Sequence, residues 1–131
     1  MKLKLIVLFL TVCALVSLSI WAIADTSDWQ KKVPEADRAQ KNPLAGDQSA
    51  VTAGAKLYFD KCSKCHGLNG EGKGSHPPLR TAKVHRATAG ELQWLLTHGN
   101  RWRGMPAFGG LSDTERWQIV SFVQSMPADL N

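Results

Sequence analysis

The sequence predicts an all-α fold of three or more short helices, and three observations carry that prediction. Apolar residues recur at spacings of three and four in three separate stretches, which is the stripe of an amphipathic helix. Two of those stretches open on a capping box. The intervals between them, 66–87 and 99–111, are rich in glycine and proline and read as loops, and no segment shows the period-two alternation of a strand.

The elements follow in order. From Ser49 onward, Val51, Ala55, Tyr58, Phe59 and Cys62 lie on one helical face. The second helix fits 89–98. Thr88 and Glu91 form its capping box, Leu92, Leu95 and Leu96 its apolar face, and Gly99 its end. The third fits 113–126, with Ser112 and Glu115 as the box, Trp117, Ile119, Val120, Phe122 and Val123 as the apolar side, and Pro127 as the stop. No internal repeat is present. Three helices in roughly 80 residues bury too little apolar surface to be comfortable alone, so a staple or a cofactor is expected.

Ahead of the helices the chain divides in two. Lys2 and Lys4 precede an uncharged run from Leu5 to Ala24, with Ala22 and Ala24 spaced as in an export signal. That run is 20 residues, long for a cleaved signal and about enough to span a bilayer. The two readings are a signal peptide over 1–24, cleaved after Ala24, and an N-terminal membrane anchor through 5–24. Both put the remainder outside the cytoplasm, in a bacterial periplasm. Cys13 follows Val12, not the small residue of a lipoprotein signal, and reads as a leader residue. Residues 25–48 are polar, contain two prolines and lack an apolar period, so they read as a linker or surface arm with Trp29 and Val33 as anchor points. Trp29 also suits a membrane interface. The domain proper is expected over 49–128. The formal net charge is +5, falling to 14 basic against 11 acidic residues once Lys2 and Lys4 are set aside. That admits an acidic partner surface and gives no basic stripe for nucleic acid.

The chemistry sits in KCSKCHG, residues 61–67. A structural zinc site over Cys62, Cys65 and His66 would need a second matched pair, and His76, His85 and His98 are single and widely spaced. A thioredoxin-like dithiol would follow a strand, whereas a helical pattern leads in here. A Cys62–Cys65 disulfide would leave His66 without a role. In C-x-x-C-H, two thiols can add to the two vinyl groups of one haem, with the next histidine placed under the iron. That reading uses all three residues, and an export signal suits it because attachment is done outside the cytoplasm.

A sixth iron ligand is then sought on the far side. Met105 lies in RGMPAFGG, a loop that can present a thioether, while Met126 near the end of the last helix suits a core or capping contact. His76, His85 and His98 are the alternatives, with His98 better placed to cap its own helix.

Over residues 49–127 the sequence resembles the class I c-type cytochromes. Gly54 and Tyr58 ahead of CSKCH, HPPL after it, GMPAF, and RWQIVSFV carry the resemblance. It implies the cytochrome c fold, with short helices around one covalently attached haem c and with the first and last helices crossing where Gly54 and Tyr58 meet Ile119, Phe122 and Val123. It also implies that the carbonyl of Pro77, or else of Pro78, accepts a hydrogen bond from the His66 ring, and that Leu79 covers the haem edge. Trp94 and Trp102 are candidate walls. The segment GELQWLLTHGNRWRGMPAF with its NPL arm looks most like small bacterial cytochromes found with quinoprotein dehydrogenases.

The function expected is single-electron transfer with no substrate at the metal. Iron would be held by His66 and Met105, and the partners would be a donor dehydrogenase and an acceptor oxidase or another cytochrome. Two rivals stand beside it. One is the same domain fixed as a subunit of a dehydrogenase or oxidase. The other is a five-coordinate haem enzyme or sensor, for which 99–110 offers no distal acid or base. Lys61, Lys64 and Lys73 near the attachment motif and Arg101 and Arg103 around Met105 are candidates for a basic rim that steers an acidic partner.

Overall fold

The computed structural model describes residues 28–129, and the leader expected over 1–24 lies outside them. Six α-helices occur among the described residues: α1 Glu35–Arg38, α2 Gln48–Lys61, α3 Ser63–His66, α4 Ala82–Arg86, α5 Ala89–His98 and α6 Asp113–Ser125. Short 3-10 turns cover Trp29–Lys32 and Arg101–Arg103. The described residues contain no strand, only two isolated bridges, Lys73 with His76 and Asn100 with Met105. The all-α reading holds.

The caps explain where the long helices begin. Thr88 and Ser112 each accept from the backbone N–H three residues on, while Glu91 and Glu115 return the bond, so both capping boxes close. Helix α2 starts earlier than its apolar stripe, because Asp47 accepts from the N–H groups of Ser49 and Ala50. The chain then kinks at Cys62 and continues as α3.

Helices α2 and α6 form the main contact, and Gly54 is its closest point. A Cβ at Gly54 would stand 1.9 Å from the Gln118 carbonyl oxygen and 3.0 Å from Phe122 Cβ. Only a missing side chain lets the backbones approach so far. Around that point Tyr58, Ile119 and Val120 are each 1% exposed, and the Tyr58 and Phe122 rings meet at 5.2 Å. Leu92 and Leu96 of α5 and Trp117 and Val123 of α6 complete this core with Cys62 and Met126. The expected crossing is present, with Gln118 as the residue facing the glycine.

Residues 28–47 lie on the helices. Gly90 admits α1 as Gly54 admits α6, since a Cβ there would sit 1.9 Å from Asp37 O. Glu91, 2% exposed, pairs with Arg38, accepts from Gln30 Nε2 and closes its own cap, so one buried carboxylate ties α5 to the arm. Asn42 is buried and its amide donates to Ser121 Oγ at 2.9 Å and to Trp117 O. Val33 is buried and Trp29 packs against the core. Two elements appear inside expected loops. Helix α4, capped by Thr81, and the 3-10 turn 101–103 are each too short to show an apolar period.

Candidate functional site

The kink between α2 and α3 puts the attachment motif on a single turn. Cys65 and His66 both donate their backbone N–H to Cys62 O, at 3.1 and 2.9 Å. Both cysteines are free thiols, Cys62 buried and Cys65 half-buried. Burial pushes the Cys62 thiol up to about 11, and Cys65 beside it adds to the effect, so a free Cys62 stays protonated at neutral pH.

His66 is oriented by the loop that follows it. Tyr58 donates its hydroxyl to Gly67 O at 2.7 Å, Gly72 N donates to His66 O at 2.7 Å, and Leu79 N donates to Gly70 O at 2.8 Å. Those bonds fold 67–79 back on the motif and bring the Pro77 carbonyl within 2.9 Å of His66 Nδ1. A carbonyl oxygen can only accept, so Nδ1 carries the proton and Nε2 keeps its lone pair. Pro78 is the other proline of that pair, and the bond goes to Pro77. Leu79 is half-buried against the core.

Met105 is held by a closed loop. Asn100 and Met105 exchange backbone hydrogen bonds at 2.9 and 3.1 Å around the 101–103 turn, and Gly104 closes the turn in the left-handed region at φ +76°. The chain then crosses over Gly99, where a Cβ would stand 2.6 Å from Pro106 C and where φ is +69°. Phe108 N donates to Leu96 O at 2.7 Å. Arg116, 7% exposed, donates to the carbonyls of Phe108, Gly109 and Leu111 and pairs with Asp113. The Met105 side chain is half-buried against the core.

The histidines outside the motif are placed differently. His98 is exposed, its ring stacked on Trp94 at 4.3 Å and its Nδ1 donating to Trp94 O at 2.9 Å. His76 lies at the Lys73 bridge, and His85 Nε2 is buried without a hydrogen-bond partner. Met126 is 7% exposed and belongs to the core. Trp94 is half-buried and Trp102 is 91% exposed. Lys61, Lys64, Lys73, Arg101 and Arg103 are all exposed.

The donor set fits a haem. Two free thiols lie within one turn, the next imidazole has one nitrogen committed and the other open, and a thioether sits in a pinned loop. No group of three or more His, Cys, Asp or Glu among the described residues is arranged to hold a metal by itself.

Residues 49–123 match the family model described as cytochrome c oxidase, cbb3-type, subunit III. The chain is a c-type cytochrome. Its cofactor is covalently bound haem c, and its chemistry is electron transfer. The cytochrome is also similar to the quinohemoprotein alcohol dehydrogenase ADH-IIG of Pseudomonas putida, at 33% identity over 114 residues. Those residues are 85% of this chain and 15% of that protein, so the chain spans a small part of its relative.

Sequence reasoning missed Arg116, Asn42 and the pairing of Glu91 with Arg38 and Gln30, which hold the Met105 loop and the arm. Charged and amide residues carry a prior for the surface. The one available signal was Glu91 in a capping box.

Proposed function

We propose that the cytochrome carries single electrons in the periplasm, with one haem attached through Cys62 and Cys65 and its iron held by His66 and Met105. The observation that carries the reading is the His66 hydrogen bond. With Nδ1 donating to Pro77 O, the ring is fixed in one tautomer and Nε2 is the nitrogen free to bind iron. When bound, the haem supplies a centre that gains and loses one electron, and a methionine on its sixth position favours the reduced state relative to two histidines. Around it the chain positions and excludes. Arg116 and the Asn100 bridge hold the Met105 loop in place, and Leu79, half-buried against the core, would shield the haem edge from water.

The localisation rests on the export pattern of 1–24. No described helix is long and apolar enough to cross a membrane, and residues 5–24 lie outside that description. Whether the mature N-terminus is Asp25 distinguishes a cleaved leader from an anchor.

A second reading, a cytochrome subunit bound to a dehydrogenase, is supported by the similarity to a quinohemoprotein alcohol dehydrogenase. Co-purification of a dehydrogenase from native membranes tests it. Ligation is tested in the Met105→Ala holoprotein. We expect a lowered midpoint potential and new binding of azide or CO, with covalent haem retained. An unchanged optical spectrum would transfer the sixth position to a histidine.

A further inference from the structure

Resting on the assignment of His66 to the iron, we propose that Glu71 is a positioning residue for that ligand. Its carboxylate locks the turn 67–72, and the turn holds the Pro77 carbonyl against His66 Nδ1.

The turn has little else to close it. Its own backbone bond, Gly70 N to Gly67 O, is long at 3.5 Å, whereas Asn69 N donates to Glu71 Oε2 at 2.7 Å. The backbone N–H groups of Glu71 itself and of Asn69, with Leu68 and the charge of Arg80 contributing less, outweigh desolvation and hold the Glu71 carboxyl below its ordinary range. The group is therefore charged at neutral pH, and its bonds to the turn are charge-assisted. It also lies directly on Gly67, the residue after the ligand. A Cβ at Gly67 would stand 2.3 Å from Glu71 Cδ, and φ there is +83°. Chain path and side chain thus fit each other.

From the turn the coupling runs to the ring through printed neighbours of Pro77. Gly72, next to Glu71, donates its N–H to His66 O at 2.7 Å. A Cβ at Gly72 would meet Pro78 N at 2.8 Å and His76 O at 3.0 Å, so the turn is packed on both flanks of Pro77. Gly70 O accepts from Leu79 N at 2.8 Å. Between these contacts Pro77 O lies 2.9 Å from His66 Nδ1. A turn that opens releases the segment 76–79, and the carbonyl moves with it. A carbonyl on Nδ1–H makes the imidazole a stronger donor, which favours oxidised iron, so its loss raises the potential.

Three replacements separate reach from charge. Glu71→Gln keeps the reach without the charge, Glu71→Asp keeps the charge one methylene short, and Glu71→Ala keeps neither. The test is nitrogen-15 NMR of the reduced, haem-bearing protein, reading solvent exchange of the His66 Nδ1 proton, together with the midpoint potential. Exchange is expected to be at least about tenfold faster in Glu71→Ala and Glu71→Asp and within about twofold of wild type in Glu71→Gln. The potential should rise more in the first two than in the third. Glu71→Asp behaving as wild type while Glu71→Gln matches Glu71→Ala would reduce Glu71 to a charge and overturn the proposal. Three variants that all match wild type would overturn it as well. So would exchange that quickens as much in α5 and α6 as at His66, because that marks general loosening. A wild type whose His66 Nε2 resonance shows no haem-induced shift would overturn the ligand assignment, and this proposal with it.

Discussion

Replacing Gly54 by alanine adds one methyl group at the closest point between α2 and α6. That Cβ would lie 1.9 Å from Gln118 O and 2.5 Å from Gln118 C, against an ordinary contact of 3.4 Å or more. The obstacle is helix backbone, which cannot swing aside as a side chain can. Relief requires the helices to part by about 1.5 Å. Gaps of about 0.5–1 Å already forfeit a quarter to a half of a dispersion contact. Tyr58, Ile119 and Val120 surround the crossing at 1% exposure, and burying each contributes about 1.5–3 kcal/mol. Losing about half of that sum, since about 1.5 Å exceeds those gaps, costs roughly 2–4 kcal/mol, and the better helix propensity of alanine returns about 1. The net expectation is about 1–3 kcal/mol of lost stability, in the range of core overpacking, or a fall in Tm on the order of 10 °C for a domain of this size. Gly54→Leu is expected to cost more. The assay is guanidinium unfolding of the holoprotein followed by far-UV circular dichroism, with Gly110→Ala as control, since nothing lies within 4 Å of a Cβ there. Gly54→Ala as stable as that control would refute the crossing.

Three further outcomes are expected. Tyr58 is the chain's single tyrosine, and burial, with Cys62 and Glu71 adding to it, pushes its hydroxyl up to about 12. Its phenolate absorbance should therefore titrate near 10 in denaturant and near 12 in the folded protein. Because the unfolded chain loses this proton first, stability contributed by Tyr58 is full below pH 10 and is lost as pH rises towards 12, by on the order of 1 kcal/mol per pH unit; Tyr58→Phe should remove that dependence. Glu91→Ala strips Arg38 and the Thr88 cap of their partner and should cost about 2 kcal/mol or more in the same unfolding assay, with Glu91→Gln milder because the amide can keep the cap. Asn42→Ala should cost on the order of 1–2 kcal/mol by leaving Ser121 and the Trp117 carbonyl short of a donor, and should speed proteolysis within 28–47.

How far the sequence was legible follows from the kind of signal each feature left. Helices α5 and α6 could be read almost to the residue, because Thr88–Glu91 and Ser112–Glu115 mark their starts and Gly99 and Pro127 follow their ends. The start of α2 reads one residue late, at Ser49 rather than Gln48, because the stripe begins at Val51 while the cap is Asp47. Helices α1 and α4 have no apolar period at all; α1 exists because Gly90 leaves room for it and Glu91 pairs with Arg38. Their stability is tertiary, and a local pattern cannot show it. At the site, the spacing of Cys62, Cys65 and His66 announced its own chemistry. The Pro77 bond to His66 came from resemblance, not from pattern, and the Arg116 contacts that hold the Met105 loop could be seen only in three dimensions.

The central claim is that haem is bound covalently by this one turn of chain. Mass spectrometry of the protein produced with a maturation system, denatured in acidified organic solvent and then digested, tests it most directly. The peptide spanning residues 62–66 should carry the mass of one haem. Cys62→Ala and Cys65→Ala should each leave a single thioether. Haem released freely into the solvent, or found on a peptide that lacks both cysteines, would contradict the account.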